Sequence, residues 1–436
     1  MKRHVLQRVV VLSFVILGLL LPLVADAADE VEMIIWVNNW QQKVISGIRD
    51  VANLFAERHP EVKSVTVVEG DQNSLAERLT LGVISNTPPD LIAMPAPAVQ
   101  YALAGLLQPI DEFLAASALV SPTDYPPLVV ESFTANGSLY ALPSLEVGPG
   151  LCLIYSKDLF AEAGLADRGP ETLEELYQIH KKMTILSAEG NVTQVGLQPL
   201  DAMGTAYFPS IWSTVFDLDW YDTTTNKVDM MCFEPAVEYI KRIYDTPGYE
   251  LIIGAGTGGW AGAAASRRLA MQINGYWLPG ELRGLGVDQS AYGYTWMPNV
   301  TGDKATAIAP WGYGIPSGAQ RPDLSFALME FFASAEASQM MFNACGYLNG
   351  NMTAIRELDI SGLPVVAPIV AMFDEADRIN APPPVPMLEQ IRARVRNELG
   401  AVWRTEQPPR IVLDNLQKLI QQDIDEALAP KVKAEQ

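Results

Sequence analysis

From residue 31 onward, strand-like and helix-like segments take turns, and that alternation confines the chain to a layered α/β architecture. Residues 31–37 (VEMIIWV) read as a strand. Residues 42–59 carry apolar side chains at Val44, Ile48, Val51 and Phe55, the spacing of a helix, and Pro60 stops them. Strands follow at 65–68 and 90–94, around a helix at 75–85. In sheets of this kind ligands meet the loops beyond the carboxyl ends of the strands. Those loops hold Asn38-Asn39-Trp40, Glu69-Gly70-Asp71 and Pro95-Ala96-Pro97, and the first two are rich in planar hydrogen-bonding groups. A second α/β unit opens near Leu151, with a strand at 151–156 and a helix beginning at 157–163. Thr172 and Glu175 are spaced as a capping box for a helix at 173–183. A strand at 292–297 and a turn at 299–303 lead into a helical C-terminal third, with helices at 323–341, 388–399 and 411–428. Pro382-Pro383-Pro384 and Pro408-Pro409 punctuate it.

The other end of the chain speaks to location. Lys2, Arg3 and Arg8 flank an apolar run over residues 9–24, and Ala25-Asp26-Ala27 supplies small residues at the two cleavage-determining positions. These are the parts of a secretory leader cleaved after Ala27. The run falls short of the roughly 20 apolar residues of a membrane span. No cysteine sits at the cleavage point to take a lipid anchor, and no twin-arginine pair signals export of a folded, cofactor-loaded chain. A periplasmic, free and soluble mature protein starting at Ala28 is expected. The full chain carries 30 Lys+Arg against 51 Asp+Glu, a formal charge of −21, which excludes nucleic acid and anionic lipid as partners. Solubility is the preferred meaning of the acid excess.

Chemistry-bearing residues are scarce. Cys152, Cys232 and Cys345 permit one disulfide and one leftover thiol in any of three pairings, with a buried free thiol the default for Cys152. Beyond the leader only His59 and His180 remain, each in what reads as a solvated helix, and neither HExxH nor CxxC occurs. No metal site, cofactor or catalytic residue is expected, and an exported enzyme is disfavoured. Gly254-x-Gly256-x-x-Gly259 matches a dinucleotide-binding pattern. The strand before it is too short, however, and the run 269–273 after it ends in Asn274 rather than an acidic residue. A flexible loop at a cleft edge is the preferred reading. Four Asn-x-Ser/Thr sequons, at Asn136, Asn191, Asn299 and Asn351, are read as turns.

One stretch carries a resemblance. Residues 136–160, NGSLYALPSLEVGPGLCLIYSKDLF, are similar to the hinge of extracellular solute-binding proteins of bacterial ABC importers, in the carbohydrate-binding branch related to maltose-binding protein. Gly169 to Leu176 resembles that family's next helix start, AMQINGYW (270–277) its "AM-x-I-NG-x-W", YGYTWMP (292–298) its second hinge strand, and the helix from Asp323 with Ala333-Ser334-Ala335-Glu336 its "fl-x-s-x-e" helix. The resemblance implies a periplasmic-binding-protein-like fold of type II: two α/β lobes around a ligand cleft. Residues 28–143 plus 297–335 are expected to form the N-terminal lobe, and 144–296 plus 336–436 the C-terminal lobe.

Sugar recognition needs aromatic planes over apolar C–H faces and Asn, Asp, Glu or Gln for the hydroxyls. The chain has 9 Trp and 15 Tyr, several beside Gly, Pro or Asn. By resemblance Trp277 is the cleft tryptophan, Glu146 follows the first hinge where an acidic contact is common, and Asn38, Asn39 and Trp40 begin the first-lobe contacts. Trp311 and Tyr313 lie in the return crossing, and Trp260 sits in a glycine loop able to line the cleft. Trp36, Trp212 and Trp296 are assigned to the core. The resemblance implies a monomer that passes a sugar, oligosaccharide or polyol to an ABC permease. Two alternatives keep the fold: a polyamine or other cationic solute held by Glu146, Asp71 and Asp217, and a sensory ligand-binding protein uncoupled from transport.

Overall fold

The computed structural model describes residues 30–71, 74–200, 207–255 and 260–429, and the leader expected over 1–27 lies outside them. Two mixed sheets organise the chain. Apart from two short hairpins, the strands in chain order are β1 (Val31–Asn38), β2 (Val62–Gly70), β3 (Leu91–Pro95), β4 (Ala141–Glu146), β5 (Cys152–Ser156), β6 (Ile185–Leu186), β7 (Val192–Leu197), β8 (Leu269–Asn274), β9 (Tyr292–Thr295), β10 (Ala305–Ala307), β11 (Trp311–Gly314) and β12 (Arg378–Asn380). The first sheet has the order β2-β1-β3-β11-β4 and the second β9-β5-β8-β7-β6.

Burial along each strand follows from what covers its faces. In β1 only alternate residues (Met33, Ile35, Val37) are buried, whereas every residue of β3 is buried, as a strand covered on both faces must be. β1, β2 and β3 run parallel, and β11 returns antiparallel to β3, with Trp311 opposite Pro95 and Glu146. An antiparallel strand enters a sheet where its parallel neighbours leave it. Trp311 therefore begins its strand beside the loops that leave β1 and β3. The second sheet repeats the device: β8 is parallel to β7 and antiparallel to β5, so Asn274 ends beside Cys152.

Segments crossing between the sheets bond to one another. Gly150 N donates to Ala307 O at 2.7 Å, Val147 N to Leu348 O at 2.7 Å, and β10 pairs with β12. β4 stays in the first sheet through Glu146, past the expected break at 143, so Glu146 precedes the crossing rather than follows it. The helix Ala335–Cys345, expected with the second lobe from 336, packs instead on Gln42–Arg58, with Ala344 and Met341 against Gly47. The single helix read at 323–341 is two, Pro322–Phe332 and Ala335–Cys345, because the Ser334 hydroxyl accepts from Ala337 N at 3.2 Å and starts a new one.

Other details depart from the pattern reading. Half of the capping box forms: the Thr172 hydroxyl accepts from Glu175 N at 3.1 Å, but the Glu175 carboxylate takes Glu171 N at 2.7 Å and Arg168. His180 is fully buried, not solvated. Its Nδ1 accepts from Leu197 N at 3.0 Å, its Nε2 lies 2.9 Å from Thr246 O, and burial lowers its pKa. His59 stacks on Phe55 at the end of its helix. Of the three tryptophans assigned to the core only Trp212 is sealed, while Trp36 and Trp296 are half-buried beneath Arg78 and Lys304. All three cysteines are free. Among the described residues no helix is long and apolar enough to cross a membrane.

Candidate functional site

Where the carboxyl edge of the first sheet emerges, the chain turns tightly. Asn38 Oδ1 accepts from Asn39 N at 2.9 Å, the same N–H reaches Gly70 O at 3.0 Å, and Trp40 N donates to Asn38 O at 2.9 Å. The turn is thereby tied to the end of β2, next to Asp71. It projects Trp40 edge-on to Trp311, 4.8 Å between ring centroids at 72°. Glu146, 8% exposed, completes this wall from the strand beside Trp311.

The opposing wall grows from β8. Buried Asn274 accepts from Gly275 N at 2.8 Å and donates to Gln272 Oε1 at 3.2 Å, fixing the strand's exit. A Cβ on Gly275 would fall 2.2 Å from the Trp277 ring, so only glycine lets that ring fold back over the turn. Tyr276 N donates to Pro149 O in the crossing segment at 3.0 Å, and its ring meets Trp277 edge-on at 5.3 Å. Trp277 caps the helix Leu278–Gly284, which carries Glu281 one turn on. Gln41 reaches from the first wall to donate to Glu281 Oε1 at 2.7 Å, a hydrogen bond spanning the cleft. Further back, the Arg392 guanidinium lies over the Tyr207 ring, 4.4 Å from its centroid, and its Nη1 donates to Glu389 Oε1 at 2.6 Å.

Between these walls lies a cavity of about 720 Å³. Seven of the expected residues line it: Asn38, Asn39, Trp40, Asp71, Glu146, Trp277 and Trp311. Tyr313 does not. It sits two residues deeper in β11, fully buried, its ring packed on Phe332 at 4.5 Å under the helix Pro322–Phe332. Trp260 opens the helix Trp260–Ala265, whose Ala261 and Gly262 line the cavity; its side chain lies outside the described residues. Asp217, the third acid of the cationic-solute alternative, lies outside the cavity and pairs with Arg378 at 3.3 Å. The glycine pattern at 254–259 follows a helix, Tyr249–Gly254, where dinucleotide binding requires a strand. Residues 256–259 lie outside the described residues.

Sequence reasoning missed Gln41, Lys43, Tyr207, Glu281, Tyr347, Glu389, Arg392 and Arg396, all in the lining. Glu281 was within reach, since a residue four after a cleft tryptophan at a helix start shares its face. The others come from segments with no local mark of a site.

Burial dominates the electrostatics. It raises the Glu146 carboxyl to about 8, helped by the nearby charge of Glu281, and raises Glu281 itself to about 7. At neutral pH Glu146 is mostly a protonated acid, able to donate as well as accept a hydrogen bond. Burial likewise lifts the Tyr207 phenol to about 12, opposed by Arg392. Among the described residues no group of three or more His, Cys, Asp or Glu is placed to hold a metal ion.

Known proteins share this fold. The family model described as bacterial extracellular solute-binding protein matches residues 39–339. A maltotriose-binding protein of Pyrococcus abyssi is 22% identical over 344 residues, 77% of this chain and 70% of that protein. An uncharacterised ABC transporter extracellular-binding protein of Pyrococcus horikoshii is 23% identical over 315 residues, 67% of this chain and 65% of its own length. Among solved structures, CpMnBP1 with mannotriose bound superposes with a TM-score of 0.79 at 18% identity, over 90% of this chain and 100% of that one. A Thermotoga lettingae ABC transporter solute-binding protein bound with α-D-tagatose gives 0.75 at 19% identity, over 90% and 99%. These likenesses show the two-lobe fold.

Proposed function

This chain belongs to the bacterial extracellular solute-binding protein family, and from that membership we propose that it captures a sugar, oligosaccharide or polyol between its lobes and delivers it to an ABC permease. It is a binding protein and not an enzyme. The observation that carries the ligand class is the pairing of aromatic planes on both walls, Trp40 and Trp311 on one and Trp277 on the other, with amide and carboxyl groups between them. Rings cover the C–H faces of a saccharide, while Asn38, Asn39, Asp71 and Glu146 pair its hydroxyls. A maltotriose-binding relative and a mannotriose-bound structural neighbour support the same class. The hydrogen bond from Gln41 to Glu281 spans the cleft, consistent with a hinge that ligand contacts on both lobes bias toward closure. We place the protein in the periplasm as a soluble monomer released by cleavage after Ala27.

Thermal unfolding against a panel of sugars, oligosaccharides, polyols, polyamines and amino acids tests this reading. A carbohydrate at a hundred times its Kd adds about 2.7 kcal/mol, a clear rise in Tm. A rise confined to polyamines or amino acids would keep the fold and overturn the ligand class.

A further inference from the structure

The ligand class can be narrowed by a buried arginine with two of its three nitrogens unpaired among the described residues. Arg392 lies in the first turns of the helix Leu388–Arg404 and is 4% exposed. Tyr207 holds the guanidinium flat from below, and Glu389 takes Nη1. Its Nε and Nη2, both buried, have no hydrogen-bond partner among the described residues. Leaving buried donors unpaired is costly, more so on a charged group, so an arrangement of this kind is expected to be completed by something else. The two free donors form the edge whose parallel N–H groups match both oxygens of a carboxylate.

Charge around the cavity agrees. Lys43 on the first wall and Arg396, one turn beyond Arg392, also line it, and both are exposed with no ion pair among the described residues. Opposing them are the carboxylates of Asp71 and Glu389 and the Glu281 carboxyl, raised by burial to about 7, while Glu146, lifted to about 8, stays mostly uncharged at neutral pH and does not repel an anion. Lys43, Arg392 and Arg396 thus set three basic groups around the cavity.

We propose that the saccharide bound in this cleft carries a carboxylate, as a uronic acid does, and that the Nε–Nη2 edge of Arg392 grips it. This rests on the carbohydrate reading above and narrows it.

Calorimetric titration of the full chain at pH 7 compares trimers of galacturonate, glucuronate and mannuronate with the neutral trimers of galactose, glucose and mannose. One uronate trimer is expected to bind at least about tenfold more tightly than its neutral counterpart. Arg392→Lys, which keeps the charge and loses the fork, should weaken the uronate by about tenfold and bring the ratio toward one. Should that variant unfold, Arg392→Gln with Glu389→Gln leaves no unpaired buried charge and must show the same loss. Neutral trimers binding as tightly as or more tightly than uronates would overturn the inference and leave the carbohydrate reading standing. Binding of neither class, with a thermal response to polyamines or amino acids alone, would overturn both.

Discussion

The two walls of the cleft face one cavity but are made differently. The first is a sheet edge: Asn38, Asn39, Trp40 and Asp71 follow parallel strands, while Trp311 and Glu146 occupy antiparallel ones beside them. Its side chains are neutral amides, rings, one exposed acid and the exposed Lys43, with Glu146 buried at the back. The second is a set of helix starts, in which Trp277 opens one helix and Glu281 lies one turn on, while Glu389 and Arg392 open another some hundred residues later. There the side chains are ionisable and largely enclosed. A sheet edge supplies many backbone-anchored contacts at adjacent positions, whereas helix starts bring in few groups from distant segments and bury them deeply. The first wall is therefore suited to holding a polyhydroxyl outline and the second to discriminating among ligands that share it.

Substitutions can break that contrast, and the largest effect is expected at the ring that dominates the second wall. Trp277→Ala should weaken the ligand found in the thermal panel by about a hundredfold, roughly 3 kcal/mol, measured by calorimetry with the circular dichroism spectrum unchanged. Retained affinity would mean that the ring is core and the walls are unequal.

Next comes pH. The folded-state pKa of Glu146 is raised to about 8 from the ordinary carboxylate range, so between about pH 4.5 and 8 the folded chain holds a proton that the unfolded chain has lost. Stability contributed by this group must fall as pH rises through that window, by about 1 kcal/mol per unit. Glu146→Gln, which mimics the protonated acid, should flatten the decline, so that its Tm relative to the parent rises from pH 5 to pH 8. Parallel pH profiles would show Glu146 to be less enclosed than its strand position implies.

A smaller change is expected from Gly275→Ala. Its Cβ displaces the Trp277 ring without removing it, and about tenfold in affinity should go while the fold persists. Smallest of all, Gln41→Ala removes the cross-cleft hydrogen bond to Glu281, about 1 kcal/mol, and should appear as faster ligand release in stopped-flow fluorescence with little change in association.

The contrast between walls also explains what the sequence revealed. The first wall was legible because parallel-strand loops announce themselves through apolar runs followed by Asn38-Asn39-Trp40 or Gly70-Asp71, and a general rule says that ligands meet those loops. Trp277 was legible only through its resemblance to a known motif; the physical reason for that motif, a glycine beneath a folded-back ring, needed coordinates. Tyr313 was misplaced because period-two reasoning puts it on the same face as Trp311 but does not tell how soon a helix covers that face. Arg392 and Glu389 were invisible, since an arginine and a glutamate three apart on a helix describe any solvated surface until packing encloses them. Lobe membership erred for a similar reason: nothing local says that the apolar stripe of Ala335–Cys345 turns back onto Gln42–Arg58.

In the function proposed above, one carbohydrate is held by both walls at once. Calorimetric titration of the best saccharide into the parent chain, Trp40→Ala and Trp277→Ala tests it directly. One ligand per chain, with both substitutions weakening the same binding event, is the predicted result. Loss confined to one substitution, or two independent binding events, would contradict it.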